Sequence, residues 1–326
     1  MRGKLTTRFI VYALLSVCLT GAELWLRNAL ASNNGRIVFT SRRDGNSEIY
    51  VMDADGGNQA RLTHHPANDS DPDWSPDGTK IAFTSSRDGK RQIYVMNADG
   101  SHLKKLTDTR DNTDPDWSPD GHTIAFTVHP DWMNDWADHI AVMDADGRNR
   151  VRHEDHGMHP SWSPDGRAIA FVSSRHGNNE IYVISADGQR LKRVTHDLAS
   201  QHRPAFSPGG GRIAYMARHE GFLHIYVVDI DGTNLKKLTH NQGHHWDPAW
   251  SPDGGMIAYY TYTKDARDGA KIHLMTANGQ HLRQLGDSHD WHDFQPDISP
   301  LGLAVSRTSK TTTIWGRLKQ RASNVR

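Results

Sequence analysis

The sequence predicts an all-β chain: a six-bladed β-propeller of four-stranded antiparallel blades, with strands from the two ends closing the ring. Three observations predict it. Trp74-Ser75-Pro76-Asp77-Gly78 returns at Trp117, Trp162 and Trp250, with altered copies at Phe206-Ser207-Pro208-Gly209-Gly210 and Ile298-Ser299-Pro300-Leu301-Gly302. The successive spacings are 43, 45, 44, 44 and 48 residues, a period typical of propeller blades. Between the copies lie short apolar runs separated by Asp-Gly pairs, which supply the positive φ of tight hairpins.

The elements follow in chain order. Residues 1–31 read as a signal peptide or, alternatively, an N-terminal membrane anchor. Arg2, Lys4 and Arg8 flank an uncharged run from Phe9 to Ala22, and Ala29-Leu30-Ala31 offers a small-x-small cleavage site. That run of 14 residues is short of the ~20 that span a bilayer. The propeller is assigned to residues 32–306. In one repeat the strands are Pro72 to Ser75, Ile81 to Ser85, Ile93 to Asn97 and Lys104 to Thr107. Ile93 and Val95 face one way and Tyr94 and Met96 the other, so both faces of the sheet are apolar, as in a blade packed between two others. The fourth strand carries Lys104-Lys105-Leu106-Thr107, Lys192-Arg193-Val194-Thr195 and Lys236-Lys237-Leu238-Thr239, and lysine on a rim strand opposes edge-to-edge association. The first blade lacks its Trp-Ser-Pro strand while Gln295 to Ser299 is left over, so the simplest ring pairs the two. Leu303 to Trp315 leaves room for a seventh blade as the alternative. Residues 307–326 form a basic tail.

Composition narrows the function. Lys plus Arg equals Asp plus Glu at 38 each, so no net field attracts nucleic acid or an anionic membrane. The single cysteine, Cys18, lies in the apolar leader, which leaves the mature chain without disulfide or thiolate ligand. An exported protein without cysteine fits a bacterial envelope, as a monomer. No Gly-x-Ser-x-Gly elbow, P-loop or dinucleotide fingerprint occurs. Asp53-Ala54-Asp55-Gly56 and its repeats lack the remaining spacing of an EF-hand.

Four segments carry a family resemblance: Asp71-Pro72-Asp73-Trp74-Ser75-Pro76-Asp77-Gly78, Ile81-Ala82-Phe83-Thr84-Ser85, Ile93 through Gly100, and Lys104-Lys105-Leu106-Thr107. Together they resemble the repeat of the TolB propeller, over roughly residues 35–302. The resemblance implies a six-bladed propeller exported to the periplasm that works by protein contact, in that family with the peptidoglycan-associated lipoprotein and Tol partners. TolB carries an α/β domain before its propeller, whereas here the repeats follow the leader almost directly. That difference predicts a free-standing TolB-like module.

Function is expected where the copies differ. The Pro-Asp-Gly and Ala-Asp-Gly turns share one face of the disc and barely vary among repeats. The opposite face carries the variable loops, and these are the better place for recognition. Three residues before each Trp position stand Asp71, Asp114, His159, Arg203, Asp247 and Gln295, which would ring one mouth of the axial channel. Just before them come Asp69, His156, His202, His244, His245, His292 and Asp293. Such a mouth suits a protein segment, a glycan or a cation, or it is a hydrated ring that caps strands. A long third-blade loop adds Trp132 and Trp136 beside Asp131 and Asp135, suited to stacking or to folding back on the neighbouring blade.

The reading is a non-enzymatic binding scaffold without cofactor, whose partner is an envelope protein or a glycan. The alternative is a metal-assisted polysaccharide lyase or hydrolase holding a divalent cation through His156, His159, His202, His245 and His292. His159-Pro160-Ser161-Trp162-Ser163-Pro164-Asp165 resembles the repeat of lyases built on related propellers.

Overall fold

The computed structural model describes residues 35–130, 137–197, 199–241, 243–262, 269–286 and 292–300. The leader, the Trp132/Trp136 loop, the Leu303–Trp315 segment and the basic tail lie outside the described residues.

Strands follow one another radially, blade by blade. The chain begins with β1 (Arg36–Ser41), β2 (Glu48–Asp53) and β3 (Ala60–Arg61). Blade 2 holds β4 (Asp69–Trp74), β5 (Lys80–Asp88), β6 (Lys90–Asn97) and β7 (Lys104–Lys105). Blade 3 has β8 (Asn112–Trp117), β9 (Thr123–Val128), β10 (His139–Asp144) and β11 (Val151–Asp155). Blade 4 has β12 (Met158–Trp162), β13 (Ala168–Ser173), β14 (Glu180–Ser185) and β15 (Leu191–Arg193). Blade 5 has β16 (Gln201–Phe206), β17 (Arg212–His219), β18 (Phe222–Asp229) and β19 (Lys236–Lys237). Blade 6 has β20 (His244–Trp250), β21 (Met256–Tyr262), β22 (Ala270–Thr276) and β23 (His281–Gln284). The last strand, β24 (Asp293–Ile298), pairs antiparallel with β1 and supplies the inner strand of blade 1. The register runs Ile37 to Ile298 and Ser41 to Asp293. The ring is closed as the leftover strand required.

Each seam between blades is an apolar core. Val38, Ile49 and Val51 of blade 1 meet Trp74, Ile81, Phe83 and Met96 of blade 2. Ile37, Phe39 and Met52 point the other way, against Met256, Ala258 and Leu274 of blade 6. This is why both faces of every strand are apolar. The Trp of each repeat packs into a seam, and Trp74, Trp117, Trp162 and Trp250 are all buried.

Polar groups lock the same seams. The backbone N–H of Trp74 donates to Asp297 at 2.9 Å, that of Trp117 to Asp73 at 2.7 Å and that of Trp162 to Asp116 at 2.7 Å. Each bond reaches the preceding blade. The fourth strand is shorter than the sequence predicts, ending at Lys105 rather than Thr107. Thr107 leaves the ladder because its hydroxyl accepts the Ile93 N–H at 2.9 Å, and Thr63, Thr195 and Thr239 do the same. The rim lysines also do more than guard an edge. Lys104, Lys192 and Lys236 each donate to a backbone carbonyl of the next blade, those of Asp146, Ile230 and Asn278.

The Ala-Asp-Gly turn needs glycine for two reasons. Gly147 has φ +89°, and a Cβ there would stand 2.9 Å from the Leu106 carbonyl oxygen of blade 2. Gly45 has φ +101° but open space around it. Gly147→Ala should therefore cost roughly 1–3 kcal/mol and more than Gly45→Ala, measured by urea denaturation. Equal costs would show that backbone strain, not the approach of the neighbouring blade, dominates.

Candidate functional site

The site is built by a repeated irregularity. In every inner strand one residue is added to the register against its partner, as between Ser70 and Asp73, Thr113 and Asp116, or Trp246 and Ala249. The first residue of each bulge has positive φ: Asp71 +51°, Asp114 +54°, His159 +53°, Arg203 +52°, Asp247 +48° and Gln295 +54°. A proline follows each one, where the missing N–H fits a bulge. A non-glycine residue in this region costs about 1–3 kcal/mol, and the cost recurs six times on one ring. All six residues line a single axial cavity of about 290 Å³.

Arg203 fills the centre of that ring. Its Nη2 lies 3.0 Å from Asp71 Oδ1, its Nη1 2.5 Å from Asp114 Oδ1 and its Nε 3.6 Å from Asp247 Oδ1. Gln295 donates to Asp71 through Nε2, while its Oε1 accepts from Thr40 Oγ1 at 2.9 Å and from the Asp71 backbone N–H at 3.1 Å. His159 Nε2 lies 3.9 Å from Asp114 Oδ2. The Arg203 side chain is 27 % exposed and the Asp114 side chain 8 %, so this knot is largely shielded from solvent. One cation thus draws together carboxylates from three other blades.

Burial and charge set the protonation states. Burial works to raise the Asp114 carboxyl, but the Arg203 guanidinium and the nearby imidazoles outweigh it and hold Asp114 below the usual range. Asp247, farther from Arg203, is pushed up to about 6 by burial. His159 is lowered to about 3, first by burial and then by Arg203, so it stays neutral. A second set of carboxylates, Asp73, Asp116 and Asp297, two residues further along the same strands, lines the same cavity. Burial raises all three, Asp116 to about 8 and Asp297 to about 6.

The histidines scatter. His159 and His202 face each other edge-on at 6.2 Å, whereas His156 and His292 are exposed. His245 is fully buried, stacked on His224 at 5.5 Å with its Nδ1 on the Leu223 carbonyl at 3.1 Å. Among the described residues no group of three or more His, Cys, Asp or Glu is placed to hold one metal ion. His245 does not stand at the mouth because its strand position alternates inward to the seam, as period-2 geometry requires.

A feature that charge alone does not reveal is the asymmetry of the mouth. The residue just before each bulge is Ser70, Thr113, Met158, His202, Trp246 and Phe294. Blades 2 and 3 present hydroxyls there, while blades 6 and 1 present large aromatic rings. Trp246 lies parallel to Tyr260 at 6.1 Å and 8°, and Tyr260 meets Phe294 at 6.1 Å. The residue four before each Trp position carries this signal in the sequence.

A closed ring of six four-stranded blades, with differing side chains gathered at one end of its axis, belongs to the class of propellers that present an axial mouth. A family model of the TolB beta propeller domain matches residues 28–149 and 133–324. The chain belongs to this family. Within it, a 44-residue segment is 50 % identical to the Tol-Pal system protein TolB of Geobacter sulfurreducens, covering 14 % of this chain and 10 % of that protein. The fold is similar to the crystal structure of TolB from Acinetobacter baumannii, with TM-score 0.73, 23 % identity, and 82 % and 67 % of the two chains covered. It is also similar to a putative TolB from Agrobacterium tumefaciens, with TM-score 0.63, 21 % identity, and 82 % and 98 % covered.

The buried imidazoles make stability depend on pH. His224 and His273 are both lowered to about 4, chiefly by burial, against about 6.5 in the unfolded chain. The unfolded state therefore takes up these protons first, and their contribution to stability is lost as pH falls from about 6.5 through 4. The raised carboxylates act in the opposite sense, so the diagnostic quantity is a difference. Relative to the wild type, His224→Phe should gain stability steadily from pH 7 to pH 4.5 in urea titrations. A difference independent of pH would contradict the assignment.

Proposed function

We propose that this propeller is an exported, non-enzymatic binding scaffold of the cell envelope, acting without a cofactor, that receives a protein partner at its axial mouth. The single observation that carries this reading is the convergence of Asp71, Asp114, His159, Arg203, Asp247 and Gln295 on one cavity. Six strained bulges aim them there on the face whose loops differ among repeats. Strain of this kind persists only where the surrounding structure imposes it, and it clusters at ligand clamps.

The ring has the character of a recognition surface. A shielded ion cluster gives specificity, because a partner must either complement it or lose affinity through unpaired charge. Kinship with TolB supports a protein of the Tol-Pal kind as the partner, with a glycan as the other ligand class. The periplasmic or secreted location rests on the leader and on the same kinship.

The test is capture from a bacterial envelope extract by the immobilised mature chain, with the retained proteins identified. Wild type should retain a defined protein, and the triple variant Asp114→Ala, His159→Ala, Asp247→Ala should lose at least about tenfold of it, ~1.4 kcal/mol. Both forms are compared by thermal melting to exclude unfolding. Equal retention by a folded triple variant would remove the mouth as the binding site.

A further inference from the structure

Beside the channel mouth, between blades 5 and 6, lies a second recess of about 390 Å³, within the ~300–1,000 Å³ range of small-ligand sites. One wall is the Trp246 and Tyr260 pair, whose rings are nearly parallel. The other wall carries Ser200, His202 and Arg218 beside the apolar Met216 and Leu223, and the mouth residues His159, Arg203, Asp247 and Gln295 form the border with the channel. The Trp246 indole N–H is buried and has no acceptor among the described residues.

The charges are unevenly matched. Arg203 is engaged with its three carboxylates, whereas Arg218 is exposed and its Nη1 donates to the Gly221 carbonyl at 3.2 Å. Burial first, then the nearby arginines, keeps the His202 imidazole below its usual range, so it adds no cation of its own. The recess therefore presents an aromatic and aliphatic lining, small polar groups and one outward cation.

We propose that this recess binds a saccharide carrying a carboxylate. The Trp246 ring, backed by the Tyr260 ring stacked on it, offers an electron-rich face that matches the C–H face of a pyranose, since an aromatic quadrupole is negative on its face. Ser200 and His202 exchange hydrogen bonds with sugar hydroxyls. Arg218 pairs with the carboxylate, an interaction for which a guanidinium fork is suited. This inference does not depend on the protein-partner reading, and it is measured with no partner present.

The experiment is calorimetric titration of the mature chain with a uronic-acid trisaccharide and with its neutral hexose counterpart. Wild type should bind both, the acidic one about fivefold or more tightly, a gain of about 1 kcal/mol. Trp246→Ala should weaken both at least about tenfold, while Trp246→Phe retains most of the affinity. Arg218→Met alters an exposed side chain and should abolish the preference for the acid while keeping the neutral ligand. Absence of saccharide binding by folded wild type overturns the proposal. So does an unchanged acid preference in Arg218→Met.

Discussion

The structure depends on one local constraint, the bulge before a proline in each inner strand. It does two things in three residues. The positive φ at Asp71 and its equivalents turns one side chain to the axis. The residue two positions on, Asp73 or Asp116, is thereby set to accept the backbone N–H of the next blade's Trp. The same backbone irregularity thus builds the mouth and joins the blades, so altering it for recognition also alters the ring.

That coupling explains where the repeats diverge. At the bonding position blades 5 and 6 carry Ala205 and Ala249, which have no side-chain acceptor, while Ser161 accepts the Phe206 N–H at a longer 3.2 Å. The seam from blade 5 to blade 6 instead has the Trp250 indole donating to the Ala205 carbonyl at 3.2 Å. Aromatic stacking takes over there, through His224, His245, Tyr259 and His273. The seam whose polar lock was given up is also the one that opens into the aromatic recess. Arg203 is the counterpart on the axis: a single partly shielded cation offsets the charge that inward carboxylates would otherwise leave unpaired.

Much of the fold is legible in the sequence because it is written repeatedly. Period, turn chemistry and two-faced apolar strands each point to the same ring, and the unmatched Gln295–Ser299 strand specifies its closure. Aligning copies on the Trp also finds the six mouth residues, since equivalent positions in a ring must meet at its axis. What that alignment cannot show is their mutual geometry. Nothing in the spacing says that Arg203 spans three blades, or that His245, one position from an outward side chain, is turned into the seam. The aromatic crescent of Trp246, Tyr260 and Phe294 escapes a reading of charge, because the informative property at those positions is size. The lysines of the rim suggest edge protection, and their contacts across seams emerge only once the blades are placed side by side.

The central claim is that Arg203 organises the mouth by its interaction with carboxylates from other blades. A double-mutant cycle with Arg203→Met and Asp114→Asn, followed by chemical denaturation at neutral pH, measures that interaction directly. The structure predicts a coupling energy of at least about 1.5 kcal/mol, in keeping with a shielded ion pair. A value below about 0.5 kcal/mol would mean that the two residues act independently, and that the mouth is not held by this knot.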